Sequence, residues 1–165
     1  YKIYFFLKFL LYNFHMKLFI LFFLFVIFKC EVLANKLSFT YDVKGTLIKE
    51  ERVDFPSGKK FISFRHEGGF ETSIARYGFY YCTGSILYNK KGNLEDMTYA
   101  CEFQDQNNDK FFSMGTRDKG SELDRSSGKM KIVEGSGFWK KYTGKDCVYG
   151  LEYVEKIIFV KKNCK

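Results

Sequence analysis

From residue 37 onward the chain alternates apolar and polar residues with a period of two. In 37–43, Leu37, Phe39, Tyr41 and Val43 fall on one side and Ser38, Thr40 and Asp42 on the other, the pattern of a half-buried strand. Gly45 interrupts it with a bulge or bend, and 47–55 continues as a more polar strand. Its charged middle, Lys49 to Arg52, suits an edge or solvent-facing segment. Pro56, Ser57 and Gly58 read as a turn. Segment 60–66 returns as a strand with Ile62, Phe64 and His66 on one face, and 67–70, with Gly68 and Gly69, reads as the next turn. Segment 71–88 is the longest β-like run; Gly78 and Gly84 inside it mark places where a sheet bends or closes on itself.

Residues 89–93 make a hairpin loop, and 97–103 alternates again, with Met97, Tyr99, Cys101 and Phe103 on the apolar face. A polar loop at 104–109 leads to a strand at 110–116. The irregular stretch 118–127 is of the kind that lies over the mouth of a small barrel. Segment 128–149 reads as strand, glycine-marked turn and strand. The final strand region, 147–160, directs Tyr149, Leu151 and Tyr153 inward, and Ile157 and Phe159 resume after Glu155. No window has a helical period. About eight strands with glycine bends define an all-β domain, an eight-stranded antiparallel β-barrel, with a β-sandwich as the alternative. Closure removes sheet edges and suits the abundant Phe and Tyr.

The segment ahead of this pattern has another character. Met16 and Lys17, the uncharged run 18–28 and Val32-Leu33-Ala34 match a secretory signal with its cleavage site. The expected organisation is a leader at 1–34, with the signal peptide at 16–34, and one domain at 35–165. The apolar run is short for a membrane span; an uncleaved anchor over residues 3–28 is the alternative. The chain opens on Tyr1, which suggests an over-extended reading frame or a fragment ahead of Met16.

Export makes the cysteines informative. Cys82, Cys101, Cys147 and Cys164 follow the leader, an even count that implies disulfides. The point midway between Cys82 and Cys101 falls at Lys91-Gly92, inside the hairpin loop, so folding the hairpin sets the two opposite each other. Cys147 and Cys164 remain as the second pair. Their midpoint carries no turn signal, so this bond requires the tail to curl back. The expected compartment is secreted or periplasmic.

Charge adds less. The 131 residues after the leader carry a net charge of +5, scattered apart from Lys161-Lys162-Asn163-Cys164-Lys165 at the terminus. Nucleic-acid binding is not expected, nor stable membrane insertion once the signal is cleaved.

Residues 135–144, from Gly135 (Gly-Ser-Gly-Phe-Trp-Lys-Lys-Tyr-Thr-Gly) to Gly144, resemble the late segment of the allene oxide cyclase-like barrels, and dirigent proteins have a similar turn. The resemblance implies an eight-stranded barrel with an interior cavity, sometimes catalytic toward lipid-derived epoxides, sometimes steering radical coupling. None of the enzymes' active-site motifs aligns here, so no catalytic residue is carried over. Physically, the glycines allow a tight corner and Phe138, Trp139 or Tyr142 plugs the barrel end.

The remaining chemistry is limited. His66 is the single histidine after the leader, which excludes a multi-His metal site, and no Gly-x-Ser-x-Gly elbow is present. Glu67 with Glu71, and Glu95 with Asp96, are not opposed across a cleft. Segment 105–109 lacks the order of a calcium loop. No metal and no cofactor are expected. Arg65, Arg76 and Arg117 lie in or beside strands, and an arginine inside a barrel needs a carboxylate or a ligand anion. Arg76 is the leading ligand contact, with Tyr80, His66 and Trp139 as further ligand-binding candidates. The expected role is non-catalytic: binding a small apolar ligand, or serving an envelope partner. An isomerase or cyclase of the resembled superfamily and a purely structural or interaction module are the alternatives.

Overall fold

The computed structural model describes residues 38–120 and 125–165. Residues 1–37, where a leader at 1–34 with a signal peptide at 16–34 is expected, lie outside the described residues. The period-two segments form β1 (Phe39–Asp54), β2 (Lys60–Thr72), β3 (Tyr77–Tyr88), β4 (Leu94–Asp105), β5 (Lys110–Arg117), β6 (Arg125–Gly135), β7 (Asp146–Val154) and β8 (Ile157–Cys164). Each strand pairs antiparallel with the next, and β8 pairs with β1, closing an eight-stranded barrel. A sandwich is thereby excluded.

Alternation decides what fills the interior. Phe39, Tyr41 and Val43 of β1 are buried while Thr40, Asp42 and Lys44 are exposed. Interior glycines serve interior tyrosines. A Cβ on Gly45 would sit 2.0 Å from the Tyr80 hydroxyl, on Gly115 2.5 Å from that of Tyr99, and on Gly128 2.4 Å from that of Tyr149. The barrel is therefore packed by tyrosines whose tips lie over glycine gaps on other strands.

Three boundaries differ from the expectation. Residues 67–70 are not a turn: β2 runs through them to Thr72, and the chain reverses at 73–76, so 71–88 is not one run. Gly68 is there because β1 comes close; a Cβ on it would lie 2.2 Å from the Lys44 carbonyl oxygen. The actual turn is closed by hydroxyls. The Arg76 N–H donates to Thr72 Oγ1 at 3.0 Å and the Thr40 N–H to Ser73 Oγ at 3.0 Å, while Ala75 takes φ 57°. Second, the stretch 118–127 is not irregular throughout: β6 begins at Arg125, and residues 121–124 lie outside the described residues. Third, the glycine-marked corner is not a simple turn but a 3₁₀ helix, Gly137–Tyr142.

Both disulfides form, Cys82–Cys101 and Cys147–Cys164, with Cα atoms 4.0 and 4.1 Å apart. The second needs no curling tail. Glu155 and Lys156 are a two-residue hairpin turn with Glu155 at φ 56°, so Cys147 and Cys164 are register partners. That turn also fixes the phase of β8: Ile158, Val160, Lys162 and Cys164 face inward, and Ile157 and Phe159 face out. The terminal basic cluster is thus a strand with one lysine inside the barrel. Two disulfides point to an oxidising compartment.

Candidate functional site

The two ends of the barrel are built differently. At the end carrying the 73–76 turn and the 3₁₀ helix, Trp139 and Tyr142 drop into the barrel and are almost fully buried. Trp139 packs on Phe111 at 4.5 Å between ring centroids, and Phe111 stacks on Phe103 at 4.4 Å. Asp105 fixes this plug. Its Oδ2 accepts from Arg76 Nη1 at 2.9 Å and Trp139 Nε1 at 3.0 Å. Its Oδ1 accepts from the Asn107 and Asp109 N–H groups at 2.9 and 3.1 Å. The Arg76 guanidinium also lies 4.0 Å from the Phe138 ring centre. Gly137, at φ 49°, is required here, because a Cβ would strike the Asp109 carboxylate that accepts from the Phe138 N–H.

The opposite end, carrying the 155–156 turn, holds a cavity. An inner chamber of about 50 Å³ and an outer mouth of about 150 Å³ adjoin each other there. Phe64, His66, Arg117 and Tyr153 line both and form the neck between them. The chamber wall is mostly apolar, with Val43, Met97, Leu151 and Ile158, and includes the Cys82–Cys101 disulfide and Tyr80. Lys162 also lines the chamber. The mouth is bordered by Leu47, Ile62, Ile86 and Tyr88, with Glu50 and Glu155 at its edge.

The polar groups converge at the neck. Tyr153 Oη and His66 Nε2 are 3.1 Å apart. His66 Nδ1 is buried and has no hydrogen-bond partner among the described residues. Burial, reinforced by the Arg117 charge, lowers the His66 pKa to about 4, so the ring is neutral at neutral pH. Burial pushes the Tyr153 hydroxyl up to about 12 and raises Tyr80, Tyr99 and Tyr149 as well. Lys162, 5% exposed, is lowered to about 7 by burial.

Of the four predicted ligand contacts, His66 and Tyr80 meet in the chamber, while Arg76 and Trp139 meet in the plug at the other end. The arginine that faces the cavity is Arg117, in phase with Phe111, Ser113 and Gly115 along β5. Arg65 is exposed and lies near Glu67. Asp105 is engaged as described, and Glu95 pairs with Lys59 at 2.7 Å. Lys162 was missed, and its signal was there: Ile158, Val160, Lys162 and Cys164 keep one period-two phase.

Together these features define a closed eight-stranded antiparallel barrel with two cross-strand disulfides, one plugged end and one open end. In comparisons with protein-family models, curated proteins and solved structures, nothing matches the chain. The likeness to the allene oxide cyclase-like barrels therefore extends to the eight-stranded antiparallel architecture and no further.

Proposed function

We propose that this protein is an exported carrier or sensor that binds a small, largely apolar molecule through the open end of its barrel. The observation that supports this best is the chamber and mouth themselves: mostly apolar walls with a few convergent polar groups, the usual make-up of a small-molecule site. The two disulfides agree with export. Lys44, Glu67, Lys129 and Lys161 on the outer face are unlike the apolar belt of a membrane barrel.

A second reading, an isomerase of the resembled superfamily, is favoured by the Tyr153–His66 pair beside Arg117. Binding is preferred over it because burial moves both partners away from the range that suits general acid–base work near neutral pH, His66 down to about 4 and Tyr153 up to about 12. Their service is hydrogen bonding to a bound molecule.

The test is native mass spectrometry of protein purified from its own secretion compartment, against the denatured mass of the same sample. A mass excess lost on denaturation is the expected result. No excess, with no thermal shift from a panel of small apolar acids, alcohols and amines, would overturn the binding role and leave a structural module.

A further inference from the structure

We infer that the chamber receives the carboxylate end of a small apolar acid, with Lys162 at its floor as the partner of that charge; this rests on the ligand-binding reading above. Lys162 lies deep in β8, between Val160 and the Cys164 disulfide, on the plug side of the chamber. Its Nζ stands 5.2 Å from the ring centre of Tyr41, 5.1 Å from Phe103, 5.9 Å from Tyr99 and 6.0 Å from Tyr149. Ring faces compensate an ammonium only partly. Among the described residues no carboxylate pairs with it, and the buried carboxylate, Asp105, is committed to Arg76 and Trp139. A buried cation needs a counter-charge or gives up its proton.

The chamber supplies the space for that counter-charge. At the floor one ammonium meets one negative charge, which fits a carboxylate better than a phosphate dianion needing several donors there; the chamber's other basic side chain, Arg117, stands at the neck. A chamber of about 50 Å³ admits a head group and the first carbons; the tail then passes the neck into the mouth. His66 and Tyr153 at the neck are placed for a further polar atom on the tail.

The arrangement links binding to a proton. The groups facing Lys162 are Tyr41 on β1, Tyr99 on β4 and Tyr149 on β7, all kept protonated by burial. Tyr80 and Tyr153 on the chamber wall are protonated for the same reason, His66 is neutral above about 4, and Arg117 is the other basic side chain on the wall. Lys162, lowered to about 7, is thus the chamber group whose charge changes around neutral pH. A bound carboxylate restores its proton.

Isothermal titration of the protein at pH 8 with hexanoate, 1-hexanol and hexylamine, in two buffers of different ionisation enthalpy, tests this. Hexanoate is expected to bind at least about tenfold more tightly than hexanol, with uptake of about one proton, and hexylamine not to bind. Lys162→Met should bring hexanoate down to the affinity of hexanol, while Lys162→Arg should keep the acid preference. Equal binding of acid and alcohol, or acid binding without proton uptake, would overturn the assignment and leave the ligand-binding reading standing. Failure of all three probes to bind would overturn both.

Discussion

The plugged half and the open half of this barrel use the same strands for opposite ends. In the plug, Phe111 stacks on Phe103 at 4.4 Å and packs against Trp139 at 4.5 Å between ring centroids, and Asp105 accepts four hydrogen bonds. In the open half, His66 Nδ1 is buried without a partner among the described residues, Lys162 has only ring faces, and space remains. Native interiors satisfy their polar groups and fill their voids as a rule. A half that does both is built for stability. The half that does neither, in the same small domain, is where the proposed ligand would sit.

The comparison breaks most sharply at Trp139. Trp139→Ala removes a fully buried ring and leaves Asp105 without one of its donors. The expected loss is about 3–5 kcal/mol, read from urea unfolding. Leu151→Ala, in the chamber wall, should cost only about 2 kcal/mol, because its site already borders open space. Equal losses would mean that the two halves are packed alike.

The disulfides come next. One lies in each half, and they close loops of similar length, with sequence separations of 19 and 17. Replacing either pair by alanines should cost about 3 kcal/mol. Non-reducing peptide mapping should recover Cys82 joined to Cys101 and Cys147 joined to Cys164; a peptide joining Cys82 to Cys147 or Cys164 would contradict the register of the barrel.

Acid should attack the open half. Folding lowers the His66 pKa from its ordinary 6.5 to about 4, so the unfolded chain binds this proton more readily than the folded one. The contribution is complete above pH 6.5, falls away as pH drops toward 4, and changes no further below that. Its full size is up to about 3 kcal/mol. His66→Leu should therefore lose less stability than the wild type between pH 7 and pH 4, by unfolding at each pH. Equal losses would mean that the neck is wet enough to hold a charged imidazole.

Much of this was legible in the sequence, and the exceptions share a cause. Period-two alternation marked the β-rich segments, though it ran 71–88 together across the 73–76 turn and did not part β7 from β8, and the hairpin midpoint located Cys82–Cys101; both depend on local geometry alone. The 73–76 reversal was hidden because Ser73 and Ala75 close it without the glycine or proline that usually marks a turn. Gly68 and Gly69, which looked like a turn, answer instead to the approach of β1, a contact set by tertiary structure. The site suffered most from a phase error. With the Glu155-Lys156 turn unrecognised, Ile157 and Phe159 continue the inward phase of Tyr153, and Lys162 reads as part of a terminal basic cluster. Arg76 against Arg117 was likewise decided by parity: Arg117 keeps the inward phase of β5, while Arg76 sits in the turn before β3.

The smallest expected effect tests the comparison most directly, since it predicts that a drastic change inside the barrel costs almost nothing. Lys162→Met replaces a buried amine with an unbranched apolar side chain of similar length. In the unfilled state the lysine has no ion pair among the described residues to lose, and burying its charge is itself unfavourable. Stability at pH 7 should stay within about 1 kcal/mol of the wild type, with any change on the stabilising side. The gain should be largest at and below about pH 7 and shrink as pH rises from there toward the ordinary lysine value of 10.5. In that window the unfolded chain holds the lysine proton that the folded chain has given up, and the wild type gains stability. Unfolding of the two proteins at pH 6 and pH 8 would measure it. A loss on the scale of Trp139→Ala would mean that Lys162 is part of the packing. The open half would then be as finished as the plug, with no place left for a ligand.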